Sequence, residues 1–271
     1  MKSADIARIE NLLLDNENNY VGACGRFLSR VETRDSLLLL RENINDISAF
    51  VINSRSTVIP VLCGLTELPD FKNLKSFFKK KKIHSVQGLK NEVLLLEDAI
   101  KRIGKKEIDM IDYDLMSLDK QPVNGGKFPS NLEICAPQMI DLDAIAPLQA
   151  GYEKEEVLPK GSDFSPAASR LNIANIIANS KILAARINGR FVGKINISAV
   201  SFTRYQVGGV YVHPDFRGLG IARRMASVFI SSLINEGRGV TLFVKKSNIA
   251  AQKLYTRIGF TRQNDYRITY Y

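Results

Sequence analysis

The sequence is poor in the residues that usually build metal or redox centres. Its 271 residues include no tryptophan, two histidines (His84 and His213) and three cysteines (Cys24, Cys63 and Cys135). Two histidines cannot form a multi-histidine metal site, and the cysteines lie too far apart for the close pairs of zinc or redox motifs. We therefore expect no metal.

The sequence also lacks a long apolar run. No stretch approaches the roughly 20 residues that an α-helix needs to cross a bilayer. The first ten residues mix charged and apolar side chains, unlike the charged-then-apolar order of a secretory signal. We therefore expect a cytoplasmic protein with no membrane partner.

Acidic residues are too few to balance the basic ones. Lysine and arginine number 38 against 28 acidic residues, which gives a formal net charge of +10. Such a charge suits a nucleic acid, an acidic substrate or a phosphorylated cofactor, and it cannot choose among them. The densest basic run, residues 79–82, has no interleaved aromatic residues and matches no binding motif, so we do not expect a nucleic acid as the partner. A first segment that binds a nucleic acid and brings a target to the second segment stays as an alternative.

Length and turn-forming residues predict two domains. A chain of 271 residues exceeds a single domain of ordinary size. The densest cluster of turn-forming residues lies near the middle and consists of Pro122, Asn124, Gly125, Gly126 and Pro129. We therefore expect an N-terminal α/β domain over residues 1–122, a linker, and a second domain over residues 130–271. One large domain stays as the alternative.

The N-terminal segment alternates between helical and strand periodicity. An amphipathic helix opens it, with Ile6, Ile9 and Leu13 on one side. Residues 49–52 and 57–62 predict a β-hairpin, in which Pro60 indicates an edge strand or a bulge. Helical stretches at 71–78 and 89–103 then alternate with short strands near 84–86 and 107–115. This β-α-β-α-β order favours a mixed α/β layer.

The second segment also begins with a mixture of predicted strands and helices. Residues 132–135 predict a strand, and 141–152 and 167–179 predict helices. Residues 182–187 and 191–197 predict a hairpin around Asn188 and Gly189, because an Asn-Gly pair suits the positive φ angles of a tight turn.

A glycine-bearing turn in this segment is the strongest chemical feature. A predicted strand at 206–213 contains Gly208 and Gly209, which indicate a bulge or the close approach of a ligand to the backbone. Residues 217–222 then lead into an amphipathic helix. Unpaired N–H groups and the helix dipole at such a turn bind phosphate, and Arg217 adds positive charge. The turn therefore predicts a phosphate-binding site.

Two motifs make residues 208–260 resemble the GCN5-related N-acetyltransferase (GNAT) family. Arg217, Gly220 and Ala222 match the acetyl-CoA loop of that family, Q/R-x-x-G-x-G/A, and residues 248–260 fit its pattern N-x-x-A-x-x-L-Y-x-x-x-G-F. The resemblance implies an α/β (α+β) fold, with a mixed, mostly antiparallel sheet flanked by helices. The N-terminal order of elements is compatible with a degenerate copy of this fold. The glycine pair before Val210 and Tyr211 is most similar to the glycine N-acyltransferase-like branch.

The resemblance implies an acetyl-CoA-dependent N-acyltransferase that passes an acetyl group to a primary amine by direct attack in a ternary complex. The backbone of Val210 and Val212 would pair with the pantetheine arm, an N–H near Val210 would stabilise the oxyanion, and Tyr255 would protonate the departing thiolate. The implied cofactor-binding residues are Val210, Tyr211, Val212, Arg217, Gly218, Leu219, Gly220, Ile221, Ala222, Arg223 and Asn248.

The general base and the acceptor are not evident from the sequence. Gln206 stands where many family members have a glutamate, and it cannot accept a proton at neutral pH. The amine would arrive neutral, a water chain would serve, or the base lies elsewhere. Histidine is a common general base, but the place of His213 at a strand end favours a structural role. A non-catalytic acetyl-CoA sensor or assembly module is the alternative function. The acceptor (a small molecule, an amino acid or a protein amine) and a homodimer are left open.

Overall fold

The structure, a computed structural model, describes residues 3–29, 35–43, 46–68, 71–79 and 81–271. Its helices are α1 Ser3–Asp15, α2 Glu17–Leu28, α3 Phe71–Lys79, α4 Lys90–Lys101, α5 Leu142–Tyr152, α6 Pro166–Asn179, α7 Ile221–Asn235 and α8 Ile249–Ile258. Its strands are β1 Ser36–Asn43, β2 Asp46–Ser54, β3 Thr57–Val61, β4 Ser85–Leu89, β5 Asp109–Leu118, β6 Leu132–Cys135, β7 Ile182–Ile187, β8 Arg190–Val200, β9 Arg204–Val212, β10 Gly239–Lys245 and β11 Thr261–Tyr270.

One sheet contains all of these strands, in the order β1-β2-β3-β4-β11-β5-β10-β9-β8-β7-β6. The pairs β3–β4 and β9–β10 are parallel, and the other neighbouring pairs are antiparallel. Helices from both halves of the chain pack on the sheet. The predicted mixed, mostly antiparallel α/β sheet flanked by helices is therefore confirmed.

The last strand of each half crosses into the other half. β5 comes before the predicted linker but lies between β10 and β11, with Met116 opposite Leu242. β11 comes at the end of the chain but pairs with β4, with Tyr266 opposite Leu89. The predicted boundary at residues 122–130 thus falls within one continuous sheet, and the division into two domains stays a prediction.

The two halves follow the same order of elements. Residues 3–118 run α1-α2-β1-β2-β3-α3-β4-α4-β5, and residues 142–270 run α5-α6-β7-β8-β9-α7-β10-α8-β11. The parallel pair occupies the corresponding place in each run, at β3–β4 and at β9–β10. β6 is an additional strand that pairs with β7 at the edge of the sheet.

Apolar spacing explains the helix that positions the functional site. In α7 the side chains of Ile221, Met225, Phe229 and Leu233 recur at helical intervals, and all four are buried in a core that includes Val240 of β10. Burial of each such side chain is worth about 1.5–3 kcal/mol. The N-terminus of α7 is therefore held firmly against the end of β9.

The prediction that Pro60 marks an edge strand or a bulge is wrong. β3 lies inside the sheet between β2 and β4, and its ladder with β2 runs without a register shift. The parallel ladder with β4 includes only Thr57 with Ser85 and Val58 with Val86. Pro60 lies beyond that short ladder, so its missing N–H group costs no hydrogen bond to β4.

Three elements were not predicted: α2, β1 and β11. In α2, Gly22 and Gly25 lower helix propensity and Tyr20 breaks the helical backbone geometry. Packing overrides this, because a Cβ on Gly25 would meet the carbonyl oxygen of Val200 at 2.8 Å, so the helix lies directly against β8. β11 is rich in polar residues, and its place inside the sheet depends on the pairing with β4 and β5.

Lys80, which belongs to the basic run at residues 79–82, lies outside the described residues.

Candidate active site

The parallel strands β9 and β10 separate where the predicted site begins. They pair from Arg204 with Gly239 to Val207 with Leu242, and no pairing continues beyond. β9 extends to Val212 and β10 to Lys245, so the last residues of each strand flank an opening between them. Backbone groups at such an opening can pair with an extended ligand as an added strand would.

A β-bulge lies at the start of this opening, as the glycine pair predicts. Opposite β8, Asn196 pairs with Gly208 and Lys194 with Tyr211, so β9 carries one extra residue between them. Gly209 has a φ of 60°, and a Cβ there would meet the Oδ1 atom of Asn196 at 2.0 Å. Only glycine fits this position.

The loop between β9 and α7 presents backbone N–H groups to solvent. Gly218 and Gly220 have φ angles of 79° and 77°, a conformation that favours glycine. The N–H groups of residues 218–221 have no hydrogen-bond partner among the described residues. They lie at the N-terminus of α7, where the helix dipole is positive. The loop is therefore suited to bind an anion.

The predicted linker packs against this loop. A Cβ on Gly220 would lie 2.3 Å from the carbonyl oxygen of Lys127, and one on Gly126 would lie 2.8 Å from a guanidinium nitrogen of Arg223. Arg224 stacks its guanidinium 5.1 Å from the ring centre of Phe128. Arg223, predicted to contact the cofactor, thus contacts the linker in this structure, and its role at the cofactor stays a prediction.

A π-helical segment, Glu153–Val157, bridges the two separated strands. Glu155 accepts hydrogen bonds from the Tyr211 hydroxyl at 2.7 Å and from Arg217 at 2.8 Å, on the β9 side. Its backbone carbonyl accepts a hydrogen bond from Lys245 at 3.0 Å, on the β10 side. π-helical turns occur mostly at functional sites, and this one follows directly on α5.

The side chain of Glu156 places a carboxylate between Asn248 and Lys245. Its Oε1 atom accepts a hydrogen bond from Asn248 Nδ2 at 3.3 Å, and its Oε2 atom lies 3.3 Å from Lys245 Nζ. Its charge also helps to raise the pKa of Tyr255 and of Tyr152. The sequence analysis missed Glu156, because only the π-helical turn brings this residue beside Asn248.

Asn248 and Tyr255 occupy the same helix, as their spacing predicts. The Asn248 side chain caps α8 by accepting a hydrogen bond from the Ala251 N–H at 3.0 Å. Tyr255 is buried against Phe260, and burial is the main reason that its pKa is raised. Its hydroxyl therefore stays protonated at neutral pH.

Tyr211, by contrast, faces α5. Burial, followed by its hydrogen bond to Glu155, raises its pKa to about 12.

A cavity of about 780 Å³ adjoins the π-helical segment on the β10 side. It lies between the start of β5, the chain from Lys154 to Phe164 and the end of β10. Glu155 and Lys245, which flank Glu156, contribute to its wall.

Residues 149–260 match the family model described as the Acetyltransferase (GNAT) family. The matched segment lies within the C-terminal half and covers less than half of the chain. A mycothiol acetyltransferase from Geodermatophilus obscurus is 47% identical over 60 residues, which cover 21% of this chain and 20% of that protein. An N-alpha-acetyltransferase 20 from Dictyostelium discoideum is 33% identical over 85 residues, which cover 29% of this chain and 49% of that protein. The chain thus spans at most about half the length of these curated relatives.

Solved structures resemble the whole chain. Their likeness includes the N-terminal half, which lies outside the segment that matches the GNAT family. A Drosophila protein is 14% identical, with a TM-score of 0.70 over 100% of this chain and 97% of its own. A GCN5-related N-acetyltransferase from Kribbella flavida is 12% identical, with a TM-score of 0.58 over 92% of this chain and 93% of its own. At this level of identity the likeness shows the fold alone, and it includes the N-terminal half as well as the GNAT domain.

In the part of the chain that the structure describes, no three His, Cys, Asp or Glu side chains come together in a way that could hold a metal ion. None of the described helices combines the length and the apolar character that crossing a bilayer requires.

Proposed function

We propose that this chain is an acetyl-CoA-dependent N-acyltransferase that transfers an acetyl group to a primary amine within a ternary complex. One observation carries the proposal: β9 and β10 part after Val207 and Leu242, directly beside a loop whose N–H groups at 218–221 have no partner among the described residues. The match of residues 149–260 to the GNAT family covers both features.

The residues around the opening fit acetyl-CoA in their chemistry. The free N–H groups at 218–221 and the positive end of α7 would hold the diphosphate. The backbone of Val210 and Val212 would hold the amides of the pantetheine arm. Acetyl-CoA would supply the activated thioester. Arg217 would exchange its present ion pair with Glu155 for a phosphate, because both anions compete for the same guanidinium.

Glu156 is the proton acceptor in this proposal. It is a carboxylate, it lies beside Asn248 and Lys245, and the cavity wall on either side of it includes Glu155 and Lys245. An amine in the cavity would lie beside the residues that flank this carboxylate. Removal of a proton from the ammonium form leaves a neutral nitrogen that can attack a carbonyl carbon.

Tyr255 is the proton donor. Its raised pKa keeps the hydroxyl protonated, and α8 places it on the same helix as Asn248. The charge of Glu156 acts on Tyr255 and helps to keep its hydroxyl protonated. The Val210 N–H would donate to the carbonyl oxygen of the thioester, where negative charge develops.

Two measurements test the proposal. Calorimetry should show that acetyl-CoA binds, and a thiol assay should show release of coenzyme A in the presence of some members of a panel of primary amines. Tyr255→Phe should reduce turnover roughly tenfold to a hundredfold with acetyl-CoA binding unchanged. Tyr205→Phe is the matched control, because Tyr205 bonds to Glu236 away from the opening.

The outcomes separate the proposal from its rival. Binding without release of coenzyme A for any amine would indicate a sensor or assembly module. Failure of acetyl-CoA to bind would contradict both functions. Wild-type turnover in Tyr255→Phe would remove this tyrosine from the mechanism. The resemblance to the glycine N-acyltransferase-like branch stays a prediction, which a preference for amino-acid acceptors in the same panel would favour.

A further inference from the structure

Lys194 is a buried lysine at the β-bulge for which the proposed reaction has no role. It lies on β8 and is 0% exposed. Its Nζ atom donates to the carbonyl oxygen of Gly209 at 2.8 Å and to Asn196 Oδ1 at 3.1 Å, and it lies 4.7 Å from the ring centre of Tyr152. Among the described residues no carboxylate forms an ion pair with it. Its contacts are therefore neutral dipoles and an aromatic face.

Such surroundings disfavour the ammonium form. Burial lowers the pKa of Lys194 to about 7, while the nearby charge of Glu153 raises it slightly. An unpaired charge in the interior is costly, so a buried lysine without an acidic partner is retained only at a cost in stability. The amine is therefore divided between its neutral and protonated forms near neutral pH, and in either form it can donate to Gly209.

The contact with Gly209 fixes the orientation of one peptide group. No described peptide bond is cis, and a trans peptide directs its C=O and its N–H in opposite directions. Since the Gly209 carbonyl is held by Lys194, the N–H of Val210 points away from Lys194. The carbonyl side of the bulge is thus held by Lys194.

Val210 lies in the part of β9 that has left β10, beside the opening. Its N–H is the group assigned above to the carbonyl oxygen of the thioester. A hydrogen bond from an amine to the carbonyl of a peptide polarises that peptide and makes its N–H a better donor, and an ammonium does so more strongly than a neutral amine.

We propose that Lys194 is a positioning residue that aims and polarises the Gly209–Val210 peptide, so that the Val210 N–H acts as a pre-oriented donor to the thioester carbonyl. This inference rests on the proposed function. Lys194 does not touch the reacting atoms, because its bonds go to Gly209 and Asn196. Its effect on the reaction is transmitted through one peptide group.

Few other titratable groups face Lys194. Tyr152 at the end of α5 and Tyr211 opposite on β9 both have raised pKa values, so they stay neutral near pH 7. Glu153, on the π-helical segment, is the acidic group whose charge acts on Lys194. A change of the Val210 amide near pH 7 would therefore report on Lys194.

The experiment uses the full-length protein labelled with ¹⁵N and the variants Lys194→Met and Lys194→Gln. The Val210 amide proton should titrate near pH 7 in the wild-type protein and should not titrate in either variant. With an amine from the panel, Lys194→Met should lower kcat roughly tenfold, less than the 10²–10³-fold loss of a whole oxyanion donor. Its KM for acetyl-CoA should not change. Lys194→Gln keeps an N–H donor and should recover part of kcat.

A Val210 amide that does not respond to pH would overturn the inference, as would a wild-type kcat in Lys194→Met. A parallel loss of acetyl-CoA binding would also overturn it, since Lys194 would then be structural. The amide titration of the wild-type protein is decisive even if a variant fails to fold. A protein that binds acetyl-CoA but acetylates no amine contradicts the proposed function, whereas failure of the Lys194 tests alone leaves that function standing.

Discussion

The two halves of the molecule share an order of elements but differ at their parallel strand pairs. In the N-terminal half the ladder of β3 and β4 ends at Val58 and Val86, and the Pro60 ring then fills the next position, where a Cβ on Gly88 would meet it at 3.0 Å. In the C-terminal half β9 and β10 part after Val207 and Leu242 and leave an opening.

The two halves also differ in the backbone N–H groups of the chain that follows β3 and of the chain that follows β9. After β3, the Leu62 N–H donates to Glu92 at 3.1 Å and the Cys63 N–H donates to the Tyr20 hydroxyl at 3.2 Å, while Tyr20 donates to Glu92 at 2.5 Å. After β9, the N–H groups of residues 218–221 have no partner in the described chain. One half satisfies these donors with its own side chains, and the other leaves them without a partner in the described chain.

Separating the halves should have the largest effect. A fragment of residues 130–271 lacks β5, which leaves the edges of β10 and β11 unpaired, so we expect neither cooperative unfolding nor acetyl-CoA binding. A fragment of residues 105–271 retains β5 and is the matched control. Circular dichroism and gel filtration would measure the result. A folded, acetyl-CoA-binding 130–271 fragment would instead establish two independent domains.

The second prediction compares a glycine from each half. Gly220 and Gly64 both have positive φ angles, 77° and 88°, so alanine strains both backbones by about 1 kcal/mol. A Cβ on Gly220 would also collide with the carbonyl oxygen of Lys127, whereas nothing lies within 4 Å of one on Gly64. Gly220→Ala should weaken acetyl-CoA binding roughly a hundredfold, about 2.7 kcal/mol. Gly64→Ala should bind as the wild-type protein does by calorimetry, and equal affinities would refute an anion site at the loop.

The third prediction concerns the carboxylate at the opening. Glu156→Gln should lower kcat about a hundredfold without a change in acetyl-CoA affinity, because the amine loses its proton acceptor. The loss should be smaller for hydroxylamine, a nucleophile that is already unprotonated at neutral pH. Asp143→Asn is the matched control, since Asp143 pairs with Arg170 on the exposed side of α5. A wild-type rate in Glu156→Gln would remove this carboxylate from the mechanism.

The smallest expected effects are on the free energy of unfolding. Glu92 in the N-terminal half should lower it as pH rises, and Lys194 in the C-terminal half should raise it as pH rises. Burial raises the pKa of Glu92 to about 7, so the native state binds a proton that the unfolded state releases above about pH 4.5. Stability should therefore fall as pH rises from about 4.5 to about 7. Burial lowers the pKa of Lys194 to about 7, so the unfolded state binds the extra proton between about pH 7 and 10.5, and stability should rise across that window.

Urea unfolding at several pH values would measure both slopes. Each group contributes at most about 1.4 kcal/mol per pH unit. The difference between wild type and Glu92→Gln should change only in the acid window, and the difference for Lys194→Met only in the alkaline window. Parallel curves for a variant and the wild type would show that its group does not titrate as described.

The local elements of the GNAT domain were well predicted. The strand at 132–135 matches β6, the Asn-Gly hairpin matches β7 and β8, and the amphipathic helix after Gly220 matches α7. Hydrophobic periodicity and turn residues predict these elements, and both signals depend only on residues that are close in sequence. α2 and β11 gave no such signal, because partners far along the chain hold them in place.

The same distinction applies to the site. The loop at 217–222 and the pair Asn248 and Tyr255 are sequence motifs, and they were found as such. Glu155 and Glu156 were missed, because a run of acidic residues after a helix is ordinarily a solvated surface. Lys194 was missed as well, since an alternating strand pattern does not reveal that one lysine points into the protein.

By itself, the sequence determined the glycine-bearing turn before α7, the bulge at the glycine pair and the helix that carries Tyr255, because each follows from backbone preferences over a few residues. Only the tertiary structure decided that β5 and β11 exchange places, that Glu156 faces Asn248 and that Lys194 is buried against Gly209. These arrangements join residues far apart in the chain, and their stability comes from burial and hydrogen bonds that exist only after the sheet has assembled.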